Sequence, residues 1–81
     1  MEVYYTDNAL KQLEKLEHDD RKRIIEKVIS YASRNAPLKF AKHLTDAATF
    51  RFRVGDYRVI VEILHGTLWV LSVKRRDEAY R

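Results

Sequence analysis

The sequence contains no cysteine, one proline and two glycines among its 81 residues. Without cysteine, neither disulfide bonds nor thiolate metal sites are available, so stability depends on the hydrophobic core. No apolar run approaches the roughly 20 residues that a membrane-spanning helix needs, which predicts no membrane association. The amino terminus does not resemble a signal peptide, because the charged Glu2 and Asp7 flank only a short apolar patch. We therefore expect a cytoplasmic protein.

Common catalytic motifs are also missing. There is no glycine-rich phosphate loop, and the spacing of His18, His43 and His65 matches no zinc pattern. The acidic residues are spread among caps, turns and exposed positions, whereas a metal-dependent nuclease needs several convergent carboxylates. These absences favour chemistry that uses neither a metal nor another cofactor.

The length and the charge distribution suggest one domain with a basic half. At 81 residues and 46% hydrophobic content, residues 1–81 form a single domain with a modest core. The net charge is +4, and residues 49–81 carry seven of the sixteen basic residues but only four of the twelve acidic ones. A basic surface in one part of a small domain favours a polyanionic partner such as nucleic acid, although an acidic protein also fits.

The first half of the chain predicts a strand followed by two helices. Met1–Tyr5 is rich in β-formers, and Thr6 or Asp7 can cap a short helix that ends near Glu17. A second helix follows and ends before Pro37. Its predicted apolar stripe consists of Ile24, Ile25, Val28, Ile29 and Ala32. Two helices with a tight break predict an antiparallel pair that covers one face of a sheet.

The second half predicts two β-hairpins. Alternation over residues 50–54 indicates a strand, and Gly55-Asp56 fits a type II′ turn because glycine supplies the positive φ at the first loop position. That turn places Arg53 opposite Arg58, with Arg51 on the same face. Like charges directly opposite each other are destabilising by roughly 0.2–1 kcal/mol. The fold does not need such a pair, but a phosphate-binding site does.

His65-Gly66 fits a second two-residue turn. If the strand pairing continues from this turn without interruption, Val61 pairs with Val70 and Glu62 with Trp69. Ile60 then pairs with Leu71, and Arg58 with Val73. The predicted core face then contains Phe52, Val54, Val59, Val61, Ile63, Leu68 and Val70. The opposite face carries the arginines near one end and Ile60, Glu62, Trp69 and Leu71 further along. This clean separation of apolar and basic residues supports both turns.

Residues 51–61 and 70–81, which include the runs VGDYRVIV and VLSVKRRDEAYR, resemble the carboxy-terminal half of RelE-like toxins. These proteins belong to the RelE/ParE superfamily of toxin–antitoxin systems. The resemblance implies an α+β fold in the order β-α-α-β-β-β, with a small antiparallel sheet and an amino-terminal helical hairpin packed on one face. It also implies a type II toxin with a cognate antitoxin, and an endoribonuclease that cleaves messenger RNA in the ribosomal A site.

The resemblance implies the site residues as well. Arg58, directly after Tyr57, matches the arginine of the family's GYR/DYR signature, which contacts the phosphate. The implied catalytic residues are Arg53, Arg58, Arg76 and Tyr80, without a metal. The arginine cluster of the second half provides the expected RNA contacts, which are Arg51, Arg53, Arg58, Arg75 and Arg76. RelE proper often has lysine at the positions of Arg51 and Arg53. A guanidinium is a poor general base, so the identity of the base stays open.

Two alternatives remain open within the superfamily. A ParE-like toxin shares the fold but binds DNA gyrase and does not cut RNA. A catalytically silent relative would only pair with an antitoxin. The combination of basic strand positions with Tyr80 favours the RNA-cleaving toxin, because a gyrase binder has no chemical need for either.

Overall fold

The computed structural model describes residues 1–33, 42–43 and 49–75, with only the backbone for residues 42–43. Two helices and five strands follow one another along the chain. They are β1 (Glu2–Tyr5), α1 (Asp7–Glu14), α2 (His18–Ala32), β2 (Lys42–His43), β3 (Thr49–Val54), β4 (Tyr57–Leu64) and β5 (Thr67–Arg75). In the described ranges, neither helix combines the length and the apolar character needed to cross a membrane.

The strands form one sheet in the order β1-β5-β4-β3-β2. The pairs from β5 to β2 are antiparallel, whereas β1 runs parallel to β5, with Glu2 opposite Thr67 and Tyr5 opposite Val70. The α+β fold with a helical hairpin on one face is confirmed. The sheet is mixed and not wholly antiparallel as predicted, and β2 adds a short fifth strand. Parallel neighbours need a long connection, which the helices and hairpins between β1 and β5 supply.

Thr6 joins β1, α1 and β5 at one point. Its Oγ1 accepts a hydrogen bond of 3.1 Å from the backbone N–H of Ala9 and so caps α1, as predicted. The same hydroxyl is 3.1 Å from the carbonyl oxygen of Leu71, and the Thr6 N–H donates to the carbonyl of Val70 at 3.0 Å. Further along α1, the Gln12 Oε1 accepts from the Val73 N–H at 2.6 Å. These bonds fix the first helix against the last strand.

Helix α2 packs on the sheet through a narrower stripe than predicted. Ile24, Val28 and Ala32 are buried, but Ile25 is only partly buried and Ile29 is 55% exposed. Residues at i, i+4 and i+8 lie nearly in line along a helix, whereas each next residue lies about 100° further around the axis. The row of Ile24, Val28 and Ala32 therefore reaches the core, with Tyr31 packed beside it against Phe52, whereas Ile29 points away.

The first hairpin has the predicted register throughout. Val54 pairs with Tyr57 and Arg53 with Arg58, and Gly55 has a positive φ of 59°. A methyl group added at Gly55 would lie 3.3 Å from the guanidinium carbon of Arg23 on α2. The left-handed backbone therefore favours glycine here, and the Arg23 side chain would have to shift slightly to admit a larger residue.

The second hairpin follows the prediction only over its first four pairs. His65 and Gly66 form the two-residue turn with φ values of 49° and 75°, so both loop residues are left-handed, as in a type I′ turn. Beyond Val61 the register shifts. The predicted pairs of Ile60 with Leu71 and Arg58 with Val73 are wrong, because Leu71 is an extra residue in a β-bulge. Ile60 pairs with Ser72, Val59 with Val73 and Arg58 with Lys74.

The core lies between the two helices and one face of β3, β4 and β5. Its fully buried large side chains include Ile24, Val28, Val54, Val59, Val61, Leu68 and Val70, and Phe52, Tyr57 and Val73 complete it on the sheet side. All but one of the residues predicted for the core face are buried, and Ile63 packs at the rim. The apolar side of the predicted sheet is thus confirmed, with Val73 added by the bulge.

Leu68 and Leu64 give a matched test of this core. Leu68 is 1% exposed and Leu64 is 45% exposed, although both belong to the β4–β5 hairpin. Leu68→Ala should lower the free energy of unfolding by about 2–5 kcal/mol, because it removes buried apolar contacts and leaves a cavity. Leu64→Ala should change it by less than about 1 kcal/mol. Urea unfolding followed by circular dichroism measures both, and equal losses would contradict this assignment of the core.

Candidate nucleic-acid interface

The face of the sheet opposite the helices carries a line of positive charge. Arg58 on the central strand β4 lies between Arg53 of β3 and Lys74 of β5 as directly opposite cross-strand neighbours. These three residues, called the cationic row below, lie next to the Gly55 turn. Neighbouring strands are about 4.8 Å apart, so the row concentrates three positive charges over about 10 Å.

Arg58 is the most enclosed member of this row. Only 8% of the residue is exposed, and it is the buried charged residue of the described chain, whereas Arg53 and Lys74 are exposed. Burial strengthens the field of a charge because the effective dielectric constant is lower than in water. A phosphate placed over Arg58 would meet this field together with the two flanking cations.

The next row along the sheet extends this surface. It contains Arg51, Ile60 and Ser72, and the backbone of Lys42 in β2 pairs with Arg51. Arg51 is partly exposed and points to the same face as Arg53, two residues away. The Ser72 hydroxyl is buried and has no hydrogen-bond partner within the described ranges. Arg51 thus provides a second cationic position along the strand.

Lys74, not Arg75, completes the cationic row. The sequence pattern placed Arg75 among the RNA contacts and did not single out Lys74. Arg75 pairs with Tyr57 and lines a cleft of about 670 Å³ on the helix side, beside Gln12 and Glu17. Because of the bulge at Leu71, Lys74 faces the open side of the sheet and Arg75 faces the helix side. The spacing of Leu68, Val70 and Val73 contained the signal, because the apolar interval changes there from two residues to three.

A polar network supports the turn next to the cationic row from the helix side. The Tyr57 hydroxyl donates to Asp20 Oδ2 at 3.1 Å, and Asp20 Oδ1 lies 2.8 Å from the Arg23 guanidinium, which approaches Gly55. Burial, followed by the hydrogen bond to Asp20, raises the pKa of Tyr57 above its ordinary value. The hydroxyl therefore stays a donor at neutral pH and holds the residue preceding Arg58 in place.

The other end of the open face is aromatic and acidic. The rings of Tyr4 and Trp69, which pair across β1 and β5, stack with centroids 5.1 Å apart and an angle of 28° between their planes. Glu62 lies opposite Trp69 on its other side. The Tyr4 hydroxyl donates to Glu2 Oε2 at 3.1 Å, and this bond to a carboxylate raises the pKa of Tyr4. Sequence patterns could not place Tyr4 here, because they do not specify the parallel register of β1.

Two of the predicted catalytic residues, Arg76 and Tyr80, lie outside the described residues. The structure therefore brings together Arg51, Arg53 and Arg58 and adds Lys74. Within the described ranges, no three histidine or acidic side chains converge on a point that could hold a metal ion.

Comparisons with known proteins place the chain among toxins. Residues 3–80 match the family model described as ParE toxin of the type II toxin–antitoxin system, parDE. The toxin–antitoxin complex RelBE2 from Mycobacterium tuberculosis contains a chain with 33% identity and a TM-score of 0.81, and the match covers 93% of this chain and 90% of that one. A comparison with curated protein sequences gives no match.

Two further structures support the fold. The RelB–RelE antitoxin–toxin complex from Methanococcus jannaschii has 29% identity and a TM-score of 0.74, over 96% of this chain and 95% of that one. The isolated RelE toxin from Escherichia coli has a TM-score of 0.77 over 98% of this chain and 89% of that one. Its identity is 20%, so this similarity concerns the fold alone.

Lys74 and Arg58 should repel each other across β4 and β5. Lys74→Gln removes one positive charge opposite Arg58, so the melting temperature should stay the same or rise by about 1–5 °C. Lys22→Gln on the exposed side of α2 is the matched control and should leave it nearly unchanged. Added salt should stabilise the original protein more than the Lys74 variant, because it screens the repulsion. A lower melting temperature for Lys74→Gln would contradict this view of the row.

Proposed function

Because the chain belongs to the RelE/ParE superfamily of type II toxin–antitoxin toxins, we propose that it is an endoribonuclease that cleaves messenger RNA in the ribosomal A site. The observation that carries this proposal is the cationic row, with a buried Arg58 between Arg53 and Lys74. Cross-strand neighbours in a sheet place these three cations side by side, so one RNA phosphate can interact with all of them.

The reaction is an in-line attack within the RNA itself, and the chain supplies cations to the phosphate. The RNA 2′-hydroxyl gives its proton to a base, and its oxygen attacks the adjacent phosphorus in line. The bond from phosphorus to the 5′-oxygen breaks, and the leaving 5′-oxygen takes up a proton. The products are a 2′,3′-cyclic phosphate and a 5′-hydroxyl. The Arg58 guanidinium donates hydrogen bonds to the phosphate oxygens, on which negative charge develops in the transition state. Its low exposure makes this stabilisation stronger than at a fully hydrated site.

The remaining site residues have positioning and proton-transfer roles in this proposal. Arg53 and Lys74 flank the phosphate on either side of Arg58, and Arg51 holds a neighbouring phosphate. Arg76 and Tyr80 are assigned by the resemblance, Arg76 to the phosphate and Tyr80 to base stacking or proton transfer. Arg75 reaches RNA only from the cleft side of the sheet end, so we assign it a weaker contact than Lys74.

The open face offers no obvious strong base for this reaction, because its positively charged side chains are mainly arginines. We infer that ribosomal RNA supplies part of the geometry, which makes cleavage dependent on the ribosome. A second candidate function is ParE-like inhibition of DNA gyrase, which the description of the matching family model favours. Such a toxin binds a protein, and the charges of the row would then contact protein carboxylates.

We also propose a cognate antitoxin as the partner that restrains this toxin. The chain's relative in Mycobacterium tuberculosis was solved as a toxin–antitoxin complex. Ile60 and Leu71 on the open face are only partly buried, and Ile29 on α2 is exposed. An antitoxin segment with acidic and apolar residues would neutralise the row and cover such side chains.

Arg58→Ala should abolish growth arrest. Loss of one well-placed donor to the transition state costs about 3 kcal/mol, so cleavage should fall by about a hundredfold or more. The melting temperature of the variant, measured in parallel, separates loss of the site from loss of folding. Arg21→Ala on α2 removes the same charge from the helix layer and should leave toxicity intact. A folded Arg58→Ala protein that still arrests growth would show that the site is elsewhere.

The two activities can be separated in one expression experiment. Translating ribosomes should yield messages cut within A-site codons, with 2′,3′-cyclic or 3′-phosphate ends, while free RNA is cut weakly. Cleavage should survive exchange of Mg²⁺ for another ion that keeps ribosomes intact, and Tyr80→Phe should reduce it. Intact messages together with DNA damage and altered supercoiling would support the gyrase inhibitor. A 3′-hydroxyl product would rule out the in-line 2′-oxygen mechanism.

A further inference from the structure

The Tyr4–Trp69 pair lies on the same face as the cationic row but is not used by the proposed reaction. Trp69 covers one face of the Tyr4 ring, with 5.1 Å between the centroids. Strand β1 is at the edge of the sheet, and no described strand lies beyond it. Tyr4 is 47% exposed. The second face of its ring is therefore open to solvent, next to the carboxylate of Glu2.

The pair is within reach of an RNA strand bound on the row. Tyr4 lies four residues along β4 and two strands across from Arg58, which corresponds to a distance of about 16 Å. Stacked nucleotides advance about 3.4 Å each, so roughly five of them, or fewer in an extended strand, span this distance. A message anchored at Arg58 can therefore place one of its nearby bases beside Tyr4.

The charge of the open face changes sign between the cationic row and the Tyr4–Trp69 pair. The row is positive, whereas Glu2 and Glu62 lie beside the aromatic pair. Phosphates are repelled by these carboxylates, but a base is attracted in two ways. Its flat face gains by extending the stack of Trp69 and Tyr4, and its amino group can donate to a carboxylate oxygen. A base that extends the stack, with its phosphates directed away from the carboxylates, suits this end of the sheet better than an acidic antitoxin segment.

We propose that the outward face of Tyr4 is a stacking site for one base of the message, with Glu2 accepting a hydrogen bond from that base. The inference rests on the proposed function and specifies how the enzyme selects its message. Bases with an exocyclic amino group (guanine, adenine and cytosine) should be preferred over uracil at this position. The site is distinct from the cleaved phosphate, so it adds sequence preference without taking part in bond cleavage.

The test uses ribosomes programmed with a message that is 2′-O-methylated at the cleavage site and so stays intact. Binding of the toxin is measured for the original protein, Tyr4→Ala, Tyr4→Phe and Glu2→Gln. An abasic nucleotide is placed in turn at each position within six nucleotides of the cleavage site. Tyr4→Ala should weaken binding roughly 5- to 150-fold, the range for loss of one base–aromatic stack. Tyr4→Phe keeps the ring and should bind nearly as the original protein does.

The decisive result is a coupling between one base and one ring. A single abasic position should weaken binding of the original protein but have no further effect on Tyr4→Ala. At that position, Glu2→Gln should reduce the preference for amino-bearing bases over uracil. The antitoxin affinity of Tyr4→Ala should be close to that of the original protein, and loss of the stack on Trp69 should lower its melting temperature by only several degrees.

Other outcomes overturn the inference and separate it from the proposed function. If Arg53→Ala weakens ribosome binding but Tyr4→Ala does not, the stacking site is refuted and the cationic row stands. If Tyr4→Ala weakens binding without coupling to any message base, its partner is ribosomal. If Tyr4→Ala loses antitoxin affinity instead, the pair is a protein contact. If the original protein does not bind programmed ribosomes, the proposed function fails and the inference fails with it.

Discussion

The two-residue alternation of β4 is the constraint on which both faces of this molecule depend. Val59 and Val61 are fully buried against the helices, and this places Arg58, Ile60 and Glu62 on the other side of the same strand. A slip by one residue would exchange the two sets and bring a charge into the core. The register that buries the valines is therefore also the register that assembles the cationic row. The core and the candidate site cannot be adjusted independently.

A comparison of magnitudes explains why the sheet tolerates this row. Full burial of one valine or leucine side chain stabilises the fold by about 1.5–3 kcal/mol, and the core contains several such residues. One like-charged cross-strand pair costs roughly 0.2–1 kcal/mol. Burial of the apolar face thus exceeds the repulsion on the open face. The network of Tyr57, Asp20 and Arg23 supports the turn next to the row from the helix side.

Sequence patterns predicted the strand pairing that a local turn determines. They failed to predict the pairing of strands that are distant in the sequence. Gly55-Asp56 specified the whole register of the first hairpin, because a two-residue turn fixes the pairing on both sides. The same logic gave the wrong partner for Arg58 on β5, since an unrecognised bulge shifts the register at Leu71. The parallel place of β1, and with it the contact of Tyr4 with Trp69, depends on packing of the helical hairpin and has no local signal. Arg76 and Tyr80 rest on the resemblance alone.

The bulge at Leu71 has a geometric consequence for any chain molecule that lies across the open face. One extra residue on β5 bends the strand and increases its right-handed twist locally. The bend lies between Lys74 and Trp69, so the two ends of the face are rotated relative to each other. A flexible strand that contacts both ends must follow this twist, so the backbone of β5 shapes the path of a bound chain as well as the side chains that the chain meets.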